Sequence, residues 1–492
     1  MALNAERVPF RWVNGSERDE STLLLIASAE IPDVVAARAV RSQTLVVGSL
    51  PRQLQDQFQD AGPENLVRSG DCYWWRTPIG EMLTGWLREE SVPEVVQGGT
   101  HLFQAVESNL PDWVRLRLRT RQHQGLQKSL WSQHDPSSFP VDVSGLLQLE
   151  LLKTAIRQAC GYLVRLERWP AGCRAAAVLT QDLDSRETAE QGLRLGLGLQ
   201  KRERQPVSIG LSPDFDVPGG LEPVRDSEVY CLGEFGEGEA DNLLHLREPK
   251  ERLERRLGRR VLGFRAKGLR RHTMRNIWLD HSGYAYSSSV PDVDRETASH
   301  FGAGVRWNLP FRPPVCDGFD LRESRCLEIP VSAPSCIEPL FSGAGVDSLR
   351  QAVTAKLDFL CETGGIFCGL SRSGSFGMAD AQRRFSHLHW MAGQIRQHRG
   401  FWLTTMDQAA TWWRRREQVT LSLVGSGWVA ENKGSDTVAG LRLVVEDATG
   451  RVLEHRDLPA LAPGAQALVD LPFSGSEGLD YEAAGGRRSF RS

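Results

Sequence analysis

Leu179-Thr180-Gln181-Asp182-Leu183-Asp184-Ser185 closes an apolar run that begins at Ala175. Side chains alternate along a strand, so Asp182 and Asp184 project to the same side at its C-terminal end. Two neighbouring carboxylates need a cation, a metal or a shared proton to offset their repulsion. An equally available reading is local, because Asp and Ser at a strand-to-helix turn are common helix N-caps. Around this stretch the rhythm is repetitive. Apolar runs fall at 175–180, 207–211, 229–232, 261–264, 284–287, 327–331, 365–370 and 401–404, and helical patterns at 250–257, 347–363 and 379–397 fit between several of them. Eight strands alternating with helices over about 240 residues predict a β/α barrel, with its site at the C-terminal strand ends.

The flanks read differently. A chain of 492 residues suggests about three domains. Residues 1–135 read as a small α/β domain, with strands at 23–26 and 45–47, a helix over 51–61 and another starting after Gly98-Gly99. No glycine-rich phosphate loop follows either strand, so a nucleotide cofactor is not expected. Residues 136–168 read as a linker and helix, because Leu149, Leu152, Ile156, Cys160 and Leu163 recur at steps of three and four. The barrel then spans 169–416. Beyond it, period-two alternation (Val419, Leu421, Leu423; Leu441, Leu443, Val445) is broken by turn residues, which predicts an immunoglobulin-like β-sandwich over 417–492, able to fold by itself.

Composition narrows the function. The 59 Lys and Arg nearly balance 62 Asp and Glu, for a net charge of −3, so neither a nucleic-acid nor an anionic-membrane partner is expected. The longest apolar run near the start, Leu23-Leu24-Leu25-Ile26-Ala27, is too short to span a bilayer and follows Arg18-Asp19-Glu20. No secretion signal is read there, and the expected location is cytoplasmic. Nine irregularly spaced Cys with no C-x-x-C pair argue against a disulfide framework or a zinc knuckle. The 14 Trp suit either sugar stacking or core packing. Composition says nothing of the oligomeric state.

Several of these segments together resemble the NodB-type polysaccharide deacetylases. Thr180-Gln181-Asp182-Leu183-Asp184 resembles that family's opening Thr-His-Asp-Val-Asp or Thr-Phe-Asp-Asp motif. Gly263-Phe264-Arg265-Ala266-Lys267-Gly268 resembles its Gly-Phe-Arg-x-Pro-x-Gly strand end, with Lys267 in place of the proline. Gly283-Tyr284-Ala285-Tyr286-Ser287-Ser288-Ser289 resembles its Gly-Tyr-x-Tyr-Asp-Ser-Ser strand. Leu327-Glu328-Ile329-Pro330-Val331 and Thr404-Thr405-Met406-Asp407-Gln408 also fall in order. The resemblance covers about residues 168–416.

It implies a distorted barrel, a carbohydrate partner and a divalent metal, with Asp182 as catalytic base, Arg265 bracing it and Asp184 on the metal. The family completes its metal site with a His-x-x-x-His pair, due here near 228–237. That window reads Glu-Val-Tyr-Cys-Leu-Gly-Glu-Phe-Gly-Glu, and none of the 11 His in the chain lies four positions from another. The family's general-acid His, due near Gly369-Leu370-Ser371-Arg372, is also missing, while His387 and His389 lie on the next helix. One Asp binds zinc poorly, since imidazole nitrogen supplies much of the affinity, so no cofactor is expected. Glu234 and Glu237, with His245 and Asp184, could instead form an oxygen-rich site for Ca or Mn, or simply a solvated acidic loop. The residues therefore predict a degenerate deacetylase. An active hydrolase using Asp182 with a rearranged metal site, and a non-catalytic carbohydrate-binding or adaptor protein, are the competing expectations.

Overall fold

The structure is a computed structural model. It describes residues 24–27, 44–47, 59–60, 66–69, 72–75, 149–150, 153–154, 156–157, 161–183, 193–194, 197–198, 204–213, 224, 226–233, 239–269, 275–292, 307–317, 320–332, 346–372, 378–424 and 427–469. The chain divides into two compact units: one of residues 87–146 and 172–411, the other of 1–86, 147–171 and 412–492.

The first unit is built on a curled parallel sheet. Its strands are β1 (Ala175–Leu183), β2 (Val207–Leu211), β3 (Glu228–Gly233), β4 (Gly263–Ala266), β5 (Tyr286–Ser287), β6 (Leu327–Glu328), β7 (Ile366–Arg372) and β8 (Phe401–Thr404). The hydrogen-bonded order is β6-β5-β4-β3-β2-β1-β7, and β8 pairs with the start of β1. All eight strands expected from the sequence are present. Beyond β6, Ser332 N donates to Cys368 O at 2.9 Å, and Asn308 O accepts from Ile366 N at 2.8 Å. These bonds tie the far edge of the sheet to β7.

Helices α1 (Glu239–Leu257), α2 (Arg275–His281), α3 (Val346–Thr363), α4 (Met378–Gln397) and α5 (Met406–Glu417) alternate with the strands. Three of them end on a glycine in the left-handed region, Gly258 (φ 66°), Gly283 (φ 69°) and Gly364 (φ 75°), before the chain turns into β4, β5 and β7. A side chain would strain each of these turns.

The two faces of the sheet differ in chemistry. Ala177, Leu179, Val207, Ile209, Val229, Cys231 and Phe264 share one apolar core with Leu253, Trp278, Leu357, Leu388, Met391 and Ile395 of the helices. Their strand neighbours point the other way, and that inner face carries Thr180, Asp182, Ser208, Glu228, Tyr230, Arg265, Tyr286 and Ser288, all buried.

The second unit holds a five-stranded sheet in the order 24–27, 44–47, 72–75, 66–69, 59–60. Its first three strands are parallel and the rest antiparallel. Gln59 and Asp60, expected at the end of a helix, lie in a strand; the rest of that helix and the one after Gly99 lie outside the described residues. The unit also holds two three-stranded antiparallel sheets. One joins 419–424, 427–432 and 466–469; the other joins 452–457, 442–447 and Tyr162–Leu166.

That last strand differs from the sequence expectation, which carried the helix through Leu163. Residues 149–157 are helical where described, but Gly161 (φ 80°) ends the helix, its amide bonding to Arg157 O at 2.8 Å. Leu163 then lies in the strand, opposite Glu446.

Candidate functional site

Asp182 sits near the C-terminal end of β1, opposite Gly210 of β2 and Arg372 of β7, and is 2% exposed. Gly210 makes the site possible. A Cβ there would lie 2.5 Å from the Tyr230 ring, so only glycine lets that ring lie across β2. Tyr230, on β3, thereby reaches β1 and donates its hydroxyl hydrogen bond to Asp182 Oδ1.

Arg265 completes the cluster from β4. Its Nη1 donates to Thr180 Oγ1 (2.6 Å), Asp182 Oδ1 (3.1 Å) and the Tyr230 hydroxyl (2.9 Å). Nε donates to Ser288 O at 2.6 Å and Nη2 to Ser288 Oγ at 2.8 Å, while Cys368 Sγ and Met406 Sδ both lie 3.7 Å from Nη2. The guanidinium is fully buried and stacks 5.0 Å from the centre of the Tyr230 ring. Burial opposes its charge, yet Tyr230 and Asp182 together hold its pKa above the ordinary value. Burial also pushes the Tyr230 hydroxyl well up, against the pull of Arg265, so it stays a neutral donor. Burial raises the Cys368 thiol in the same way, which keeps it protonated rather than a reactive thiolate.

The same three-strand design recurs one layer deeper. Gly263 of β4 lies beneath Tyr286 of β5, where a Cβ would meet the ring hydroxyl at 2.2 Å. The Tyr286 hydroxyl reaches Glu228 at the start of β3. Glu228 Oε2 accepts from Met406 N at 3.1 Å, at the first residue of α5. Each pair is a carboxylate, a glycine on the next strand and a tyrosine on the strand after that.

Of the residues singled out by sequence, Asp182 and Arg265 are brought together, and His245 is exposed on α1. Asp184, Glu234 and Glu237 lie outside the described residues. His387 is buried, stacked on Trp390 with ring centres 5.3 Å apart, and burial pushes its pKa down to about 4; His389 is exposed. Sequence reading missed Thr180, Tyr230, Glu228, Tyr286 and Ser288. The alternation Glu228-Val229-Tyr230-Cys231-Leu232 was a usable signal, since it puts Glu228 and Tyr230 on one face of a buried strand. A second signal lay after Arg265. Counted from Gly263, the motif's closing glycine falls at Leu269, which keeps the left-handed backbone (φ 53°) that glycine would adopt at lower cost.

A metal does not fit the described residues around Asp182. Oδ1 already accepts from Tyr230 and Arg265, and a buried guanidinium repels a second cation there. Among the described residues, no three His, Cys, Asp or Glu side chains gather as ligands. No helix among them is long and apolar enough to cross a membrane.

No protein-family model matches the chain, and no curated protein does. Among solved structures, the chain is similar to a protein from Mycobacterium smegmatis described as a polysaccharide deacetylase (20% identity, 52% of this chain and 96% of that one, TM-score 0.37). It is similar to another so described from Pseudomonas aeruginosa PAO1 (16% identity, 51% and 94%, TM-score 0.40). A third similar structure is a mutant of a CE4 family pseudoenzyme with restored enzymatic activity (14% identity, 48% and 67%, TM-score 0.30). Each likeness spans about half of this chain.

Proposed function

We propose that this chain is a polysaccharide-deacetylase-like protein of surface-carbohydrate metabolism that keeps the barrel of that family without its metal-dependent hydrolysis. One observation carries the reading: the carboxylate that corresponds to the family's base is buried and takes up the hydroxyl of Tyr230, beyond the arginine that braces it. A general base must reach the proton that it removes, and Asp182 faces donors instead. Tyr230, in the window where the family's His pair belongs, is one of those donors. Arg265 and Asp182 then serve as a structural ion pair closing the inner face of the barrel.

In this reading, boundaries near 135, 168 and 416 delimit the barrel, but strand 442–447 pairs with Tyr162–Leu166, so the boundary near 416 does not leave residues 417–492 to fold by themselves. The two three-stranded sheets of the second unit are read as an immunoglobulin-like sandwich, on the strength of their antiparallel pairing.

The purified protein is expected to carry far less than one zinc per chain. Elemental analysis measures this directly. About one zinc per chain, lost in Asp184→Ala, would overturn the reading. It would favour an active hydrolase in which Asp184, Glu234 and Glu237 hold a metal beside Asp182. That second reading is supported by the place of Asp182 at the C-terminal end of a barrel strand, where such sites sit.

A further inference from the structure

Five carboxylates are buried among the described residues: Asp182, Glu228, Asp292, Glu328 and Glu446. Four of them have a cation. Asp182 pairs with Arg265 at 3.1 Å, Asp292 with Lys356 at 2.8 Å, Glu328 with Arg275 at 3.7 Å, and Glu446 with Arg165 at 2.7 Å and also with Arg157. Glu228 differs. Among the described residues no Lys, Arg or His forms an ion pair with it.

Its surroundings explain what happens to the charge. Ser208 of β2, Tyr286 of β5 and the Met406 amide of α5 give it neutral hydrogen bonds. Asp407, in the first turn of α5, adds negative charge. Tyr230, two residues on along β3, and Cys368 of β7 are both neutral. Arg265 of β4 is engaged by Asp182, Tyr230 and Ser288, and toward this region its Nη2 meets Met406 Sδ at 3.7 Å. A buried carboxylate without a cation takes up a proton rather than bear its desolvation.

We propose that Glu228 is a proton switch beneath helix α5. Neutral, it lies uncharged in the barrel interior under the first turn of the helix; ionised, it binds the Met406 amide more strongly but sets an uncompensated buried charge beside Asp407, and that charge costs the whole fold stability. Burial first, and then the charge of Asp407, push its carboxyl up from 4.5 to about 7.

The sign of the linkage follows. The unfolded chain loses this proton near pH 4.5 and the folded chain holds it to about 7. The stability this group contributes is complete below 4.5, is lost as pH rises through 7, and is level above. His387 acts oppositely, because its lowered pKa costs stability as pH falls below about 6.5. The comparison must therefore be between wild type and E228Q.

Between pH 5 and 8 the folding constant of wild type is expected to fall relative to E228Q by on the order of 100-fold. Parallel pH profiles for the two proteins would overturn the proposal. Should E228Q not fold, infrared spectra of wild type decide: a carboxylic-acid band present at pH 6 and titrating near 7 supports the switch, and its absence defeats it.

Discussion

Arg265→Met is expected to lower the free energy of unfolding by about 3 to 5 kcal/mol, the usual cost of leaving a buried charge without its partner. Against a total of roughly 5 to 15 kcal/mol for a domain, that is enough to leave a large unfolded fraction. The loss comes from several bonds at once. Arg265 serves Thr180 and Asp182 on β1, Tyr230 on β3 and Ser288 beyond β5, so its removal unties three segments of the sheet from β4. Arg265→Lys keeps the charge without the planar fork and should fall between the two. Adding Asp182→Asn to Arg265→Met should recover part of the loss, because no buried charge is then stranded. Urea unfolding measures all four proteins. A loss below about 1 kcal/mol for Arg265→Met would mean that the pair bears little of the barrel's stability.

Ending the chain at Glu417 is expected to abolish cooperative unfolding of the second unit. The truncation removes strand 442–447 from Tyr162–Leu166, where five residue pairs are in register from Leu443 opposite Leu166 to Asp447 opposite Tyr162. Leu163, Val164 and Leu166, now buried, would face water, at about 1.5 to 3 kcal/mol each. Arg157 and Arg165 would lose the carboxylate of Glu446 that they share. The contacts left behind are smaller: Trp169 against Trp413 with ring centres 5.3 Å apart, and Arg416 bonded to the carbonyls of Leu166 and Glu167. Solubility and a thermal melt of the shortened chain test this. A soluble product with a sharp transition would show that residues 418–492 fold apart from the rest.

The barrel was legible because its strands are buried on both faces and its helices carry long apolar stripes. Ala175–Leu183, Val207–Leu211 and Phe401–Thr404 begin where the apolar runs begin. The strand at 162–166 was not, because the three-four spacing of Leu149 to Cys160 happens to continue to Leu163. Only Gly161, as a helix-ending glycine, marked the change of structure. At the site, Asp182 and Arg265 were legible through motifs, and their partners were not. Tyr230 and Tyr286 reach across a whole strand over Gly210 and Gly263, and contacts of that kind depend on register between strands far apart in sequence.

The central claim is that Asp182 holds the barrel together rather than removing a proton from water. Acetate release from acetylated amino-sugar oligomers, measured for wild type and Asp182→Asn with and without added zinc or manganese, tests it most directly when the same samples are also melted. The account predicts no release above background from either protein, and a loss of about 1 to 3 kcal/mol of stability in Asp182→Asn. Release of acetate by wild type that disappears in Asp182→Asn, with stability unchanged or improved, would contradict it.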